Sequence, residues 1–188
     1  MDYDLENAYQ YGNHGLRDID AYFLASEVGY RHNVFPANLR IYLGYDYSSG
    51  DKNLSDNNLE TFNPLFPLAH AYFGYIDIGG RQNVVDLSQG FSLWPIEKKL
   101  FVKIDYHMFE RAQNTDAFYN AGGGMVRAGD SDGRRNIGSE IDLTLKYIFD
   151  AQTTLWFGYS HFSPDDFIEG FGLDEEINFA YSTLHYTF

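Results

Sequence analysis

No cysteine occurs among the 188 residues, so no disulfide can staple the chain and no thiol can act as nucleophile or metal ligand. Nor does any segment approach the ~18 consecutive apolar residues of a membrane-crossing helix, and the mean hydropathy of −0.38 agrees. A helical membrane protein is excluded. Positive charge is also short: 13 Lys and Arg stand against 27 Asp and Glu, a formal charge of −14, which argues against nucleic acid as a partner. The N-terminus lacks the basic start and apolar stretch of a secretion signal, since Met1 leads directly into Asp2, Tyr3 and Asp4. Either the protein is not exported or its natural N-terminus lies upstream.

Aromatic residues are what the chain has in excess. The 16 Tyr and 16 Phe suit strands, and segments of one apolar face recur along the chain. Each is ~10 residues long, the length of a barrel strand that crosses a bilayer. In "IDLTLKYIF", Ile141, Leu143, Leu145, Tyr147 and Phe149 share one face, opposite Glu140, Asp142, Thr144 and Lys146. "LFVKIDYHM" sets Leu100, Val102, Ile104, Tyr106 and Met108 against Lys103, Asp105 and His107. "NLRIYLGYDYS" and "VVDLSQGFSL" repeat the pattern, with Arg40 and Asp86 on their polar faces. Weaker versions run through "YDLENAYQY", "IDAYFLASEVGY", "TTLWFGYSHF" and "INFAYSTLHYTF". About eight strands result, which suits one domain over 1–188.

Alternation also describes a soluble antiparallel sheet; the connections discriminate better. "HNVFP", "PIEKK" and "DAQ" are short, whereas "GNHGLR", 49–81, 112–136 and 163–176 are longer, and the two kinds take turns. Membrane barrels sort their connections this way, with short turns at one rim and long loops at the other. The charged rows must then face inward, because Arg or Lys against mid-bilayer lipid costs about 2–4 kcal/mol. The expected fold is therefore all-β: an antiparallel up-and-down transmembrane β-barrel, with Glu27, Arg40, Asp86, Lys103, Asp105, His107, Glu140, Asp142 and Lys146 lining the lumen. At the last strand, Leu184, Tyr186 and Phe188 share one face and place an aromatic at the inner rim. Outer-membrane barrels commonly end so, and the assembly machinery reads that aromatic, which makes Tyr186 and Phe188 the expected assembly signal.

The stretches "TFNPLFPLAHAYFGYIDIGGRQNVVDL", "LFVKIDYHMFERAQNTDAFYNAGG", "IGSEIDLTLKY" and "WFGYSHFSPDDFI" resemble the C-terminal part of the alginate-export family of Gram-negative outer-membrane barrels. The resemblance implies a bacterial outer-membrane location and a passive channel for polysaccharide or small hydrophilic solutes. It also implies outer-membrane lipid, lipopolysaccharide and the barrel-assembly machinery as partners. Two departures qualify it. Family members have roughly twice as many strands, so this chain is expected either to close by itself or to form the C-terminal part of a larger barrel. Its inward rows are acidic, with Asp4, Glu6, Glu27, Asp86, Asp105, Glu140 and Asp142 against Arg40, Lys103 and Lys146, and such a lumen repels a polyanion.

The segment 62–80, "FNPLFPLAHAYFGYIDIGG", is too apolar for a free loop. It either packs on the rim or folds inward as a plug led by Phe62, Asn63, Pro64 and Phe66. Arg81, Arg111, Arg127, Arg134 and Arg135 gather in or beside loops, where they could line the channel mouth. The acidic run at 165–176 reads as a solvated loop, with no EF-hand spacing and no metal or other cofactor expected. Asp105 and His107 share a face as an acid–base pair would, but no nucleophile motif accompanies them and Ser160 and His161 point oppositely, so no enzyme is expected. The alternative to a channel is a small closed barrel that anchors in the membrane with its interior filled by side chains.

Overall fold

The computed structural model describes residues 1–33, 37–68, 70–130, 132–170 and 174–188. Parts of the expected connections, 34–36 after the second strand, residue 131 and 171–173 of the acidic loop, lie outside the described residues. In chain order the elements are β1 (Asp2–His14), β2 (Arg17–His32), β3 (Leu39–Ser48), β4 (Asn58–Leu59), β5 (Val84–Ile96) and β6 (Leu100–Arg111). They continue as β7 (Phe118–Tyr119), β8 (Met125–Arg127), β9 (Asn136–Ile148), β10 (Thr153–Pro164), the one-turn helix α1 (Asp166–Glu169) and β11 (Ile177–Tyr186). Among the described residues no helix is long and apolar enough to cross a membrane.

Eight strands form one antiparallel meander in the order β1-β2-β3-β5-β6-β9-β10-β11. Every strand foreseen from the alternation is there. The closed barrel is not: β1 and β11 are the two edges and do not pair with each other. The inner face also carries backbone of the long connection after β3, for the Ile76 N–H donates to the Glu140 carboxylate on β9.

Side-chain period two separates the faces as expected. Ile41, Leu43, Leu87, Ile141 and Phe157 point to the outer face, each more than 40% exposed, while Asp86, Asp105, Glu140 and Asp142 on the inner face are at most 3% exposed. An apolar core is thus turned inside out over most of the sheet. The sheet is also rolled. One cavity is lined by residues of β1, β2, β3, β5, β6 and β9 together, whereas six strands laid flat would spread over ~24 Å at ~4.8 Å per step. Gly90 contributes to this shape. It sits opposite both Tyr42 and Asp105, and Tyr42 reaches across it to donate its hydroxyl hydrogen to Asp105.

The first hairpin corrects the sequence reading. "GNHGLR" is not a long loop: β1 and β2 stay paired to His14 and Arg17, leaving a two-residue turn in which Gly15 has φ +66°. A positive φ costs glycine nothing, so the turn closes tightly. The hairpin projects past the other strands, and Asp18–Ile19 pairs in parallel with β4. The other three long connections remain long.

The inner face is also less uniformly polar than expected. Toward the long connections, Phe73, Val84, Phe109, Phe118, Ile137, Phe162 and Phe167 form a buried apolar cluster. It joins 49–83, 112–135 and α1 to the sheet. Asp165 caps α1, accepting from the Asp166 N–H, which gives one residue of the acidic run a structural role.

A Cβ built on Gly90 would lie 2.5 Å from the Ile104 carbonyl oxygen and 2.8 Å from the Tyr42 ring. Gly90→Val is expected to cost about 1–3 kcal/mol by overpacking and to lower the thermal unfolding midpoint in detergent. Gln89→Val, on the outer face beside it, should leave that midpoint nearly unchanged.

Candidate functional site

The register brings the inner-face acids together in a way that alternation alone does not disclose. Asp4 stands directly opposite Glu27, Asp46 opposite Asp86, and Asp105 opposite Asp142. Like charges directly opposed across strands are destabilising. Most of these acids have a compensating partner close by. Glu27 pairs with Arg40 at 2.6 Å, Asp46 with Arg81 at 3.0 Å, Asp86 with His107 at 2.7 Å and Asp105 with Lys103 at 2.9 Å. Among the described residues neither Asp4 nor Asp142 has an ion pair; Asp142 is 1% exposed and its Oδ1 has no hydrogen-bond partner.

All nine residues expected on the lumen face lie on the inner face. They do not form one cluster. Glu27, Lys103, Asp105, His107 and Asp142 line the shared cavity, of about 280 Å³. Arg40 ties Asp2 to Glu27 near the start of β3. Lys146 lies toward the short turns, its Nζ 4.7 Å from the Trp156 ring centroid, a cation–π contact. The pairing of Asp105 with His107 weighed from the sequence is not formed, because His107 turns to Asp86 while Asp105 takes Lys103 and the Tyr42 hydroxyl. Ser160 is buried on the inner face, and His161 on the outer face contacts Asn178 at 3.0 Å.

The segment 62–80 lies across the inner face instead of on the rim. Phe62 is buried against Phe23, ring centroids 4.8 Å apart, and Asn63 exchanges hydrogen bonds with Gln10 of β1. Phe73 enters the apolar cluster, and Tyr75 stacks on Tyr181 of β11 at 5.2 Å. The segment therefore bridges the two edge strands. Of the residues named from the sequence, Phe62 packs inside, Pro64 is half-buried, and Phe66 is 90% exposed and carries no inward packing. Phe73 and Tyr75 hold the segment, and nothing in local sequence distinguished them from Phe66. At β11, Tyr186 is exposed on the outer face and Phe188 follows the strand, fully exposed.

The loop arginines are engaged by the connections themselves. Arg81 is inserted under the segment, with Phe23, Tyr72 and Phe73 around its guanidinium and Asp46 as its ion pair. Arg111 is fully buried over Phe167 and donates to the carbonyls of Asn114, Asp116 and Arg134 and to Asp130. Arg127 donates to the Phe167 and Ile168 carbonyls, and Arg135 to those of Arg111 and Ala112. Arginine suits this work because its five donors fork toward several acceptors. Asp116 is the anionic counterpart, fully buried and accepting from Asp51 N, Thr61, Ala117 N and Tyr119. Burial and that carboxylate raise the Tyr119 phenol above its ordinary range. The long connections thus form one folded cap at that end of the sheet.

Arg111→Met keeps the bulk near Phe167 but removes the guanidinium donor to three carbonyls and leaves Asp130 with Arg134 as its remaining ion pair. The expected cost is about 3–5 kcal/mol, taken from the cap. Limited proteolysis should show new cleavage within 112–135 while the strand segments stay protected.

Comparison with known proteins adds the last piece. A family model described as alginate export matches residues 1–174. No curated protein matches the chain closely. The matched range takes in β1 to β10, the first two long connections and most of the third, so the resemblance of the central stretches extends over nearly the whole sheet. The chain belongs to the alginate-export family.

Proposed function

We propose that the chain is wall and gate of an outer-membrane channel that passes small hydrophilic solutes and favours cations. One observation carries this reading: the sheet exposes aliphatic and aromatic side chains on its outer face and buries Asp86, Asp105, Glu140 and Asp142 on its inner face. In water that arrangement wastes the hydrophobic effect. Against hydrocarbon it is favourable, and the strands, at 10–16 residues, meet or exceed the ~9–11 that a tilted membrane strand needs. Family membership supports transport at the outer membrane. The cargo named by the family is an anionic polysaccharide, and the acidic inner face disfavours it here.

The narrow space under 62–80 supports a second reading, a membrane anchor without an open pore. The cavity beneath that segment is only about 280 Å³. Conductance separates the two. In planar bilayers the channel reading expects discrete openings with cation preference, and larger openings once 70–79 is replaced by a short Gly-Ser linker. Absence of conductance in both forms would leave the anchor. Anion preference, or block by alginate oligomers, would return the family's cargo to this chain.

Membrane exposure has its own test. Leu143→Arg places a guanidinium on the outer face, at a cost of about 2–4 kcal/mol if that face meets lipid. Ser88→Arg puts the same charge among acids on the inner face. Refolding into phospholipid vesicles, followed by gel mobility, should fail for the first and succeed for the second; equal refolding would show that the outer face does not meet hydrocarbon.

A further inference from the structure

Glu140 and Asp142 stand two residues apart on the inner face of β9, both buried, and their carboxyl groups are hydrogen-bonded to each other. Ionised carboxylates are acceptors only, so a hydrogen bond between two of them needs a proton that one of them carries. Their oxygens agree. Glu140 Oε2 and Asp142 Oδ1 are buried and meet no donor from the chain, and one shared proton supplies the donor that both lack. The nearby cations are already committed, Lys103 of β6 to Asp105 and His107 of β6 to Asp86 of β5. Asp105 and His107 are the residues directly opposite Asp142 and Glu140. The other neighbours bring no positive charge: Ser160 and Phe162 of β10 lie opposite, Tyr181 faces Asp142 from β11, and Tyr75 stacks on Tyr181. His70 and Asp77, on the segment above, pair with each other.

The segment 62–80 rests on this pair. The Ile76 N–H donates to Glu140 Oε1 at 2.9 Å, and a Cβ on Gly74 would meet the same carboxyl group at 2.5 Å. Only glycine lets a backbone pass so close, and Gly74 has φ +79°. We propose that Glu140 and Asp142 hold one proton between them and that this proton latches 70–79 across the inner face. The latch deepens the reading of that stretch as a gate and rests on it. Loss of the proton leaves two like charges side by side and buried, and the repulsion is relieved when the segment lifts and water enters. Both groups are then solvated and ionised, so the closed form binds more protons than the open one. Closure is therefore favoured at low pH and weakens as pH rises.

With no cysteine in the chain, one introduced thiol is labelled uniquely. Ala71 is exposed on the segment, and Ala71→Cys carrying a nitroxide reports the segment's mobility by spin resonance in the full chain in detergent. From neutral to alkaline pH the immobilised signal is expected to give way reversibly to a mobile one. The infrared band of a protonated carboxylic acid, present at neutral pH, should disappear over the same range. In Glu140→Gln the side-chain amide donates to Asp142 while its carbonyl still accepts from Ile76, with no proton to lose. The label should stay immobilised throughout, and the titrating band should be missing. Asp142→Asn is the mirror case and should also abolish the pH response. A wild-type label that ignores pH, a mobility rise unchanged in either variant that folds, or the lack of a carboxylic-acid band that follows the label would overturn the latch. If neither variant folds, the wild-type infrared titration decides alone. Conductance keeps the two readings apart: openings with an immobile label at every pH would remove the latch and leave the channel, whereas release by alkali in a protein that never conducts would remove the channel and leave the latch.

Discussion

Carboxylates facing carboxylates across neighbouring strands are the constraint on which the inner face depends. Two such groups on opposed positions are ~5 Å apart at Cβ, and each needs a counter-charge or hydrogen-bond donors once water is displaced. The chain meets this need with groups from distant segments. Arg81 arrives from the 49–83 connection to hold Asp46, His107 holds Asp86 from the adjacent strand, and the Ile76 N–H caps Glu140. The segment 62–80 is therefore part of the electrostatic compensation of the sheet as well as its cover.

That dependence explains why the cap and the sheet form one unit. Phe73 packs into the apolar cluster while its neighbours donate to the acids, so displacing the segment would expose Phe73 and leave Asp46 and Glu140 without partners together. Arg111 and Asp116 do the same within the cap, each drawing several backbone groups to one buried charge. Buried ions of this sort contribute little net stability, and removing one partner is costly. Their effect is to specify one arrangement of the long connections. At the opposite end the turns are short and local: the Asp150 carboxylate accepts from the Gln152 and Thr153 N–H groups, at 2.9 and 2.7 Å, which hold it below its usual range.

Not every inner-face acid receives a cation: among the described residues Asp4, Glu6, Glu140 and Asp142 have no ion pair, whereas Glu27, Asp46, Asp86 and Asp105 do. Beside Asp142, Asp105 has Lys103, while Glu140 has the Ile76 N–H on one oxygen and no partner on the other.

The eight strands, their boundaries to within a few residues, and the partition of greasy and ionic faces were legible in the sequence, because a strand's period of two is a local property that each segment such as "IDLTLKYIF" carries alone. The nine polar inner-face residues followed from that partition. What local pattern could not contain was register and long-range docking. Which acid opposes which depends on how β3, β5, β6 and β9 align. The inward packing of Phe73 rather than Phe66 depends on a cluster whose other members come from β5, β6, β7, β9, β10 and α1. Gly15 and its tight turn replaced an expected loop, since whether strands continue past a membrane-length span depends on a docking partner, here β4. Closure, finally, is a tertiary matter: the alternation is the same in an open meander and a ring, and only the pairing of strands shows β1 and β11 left as edges.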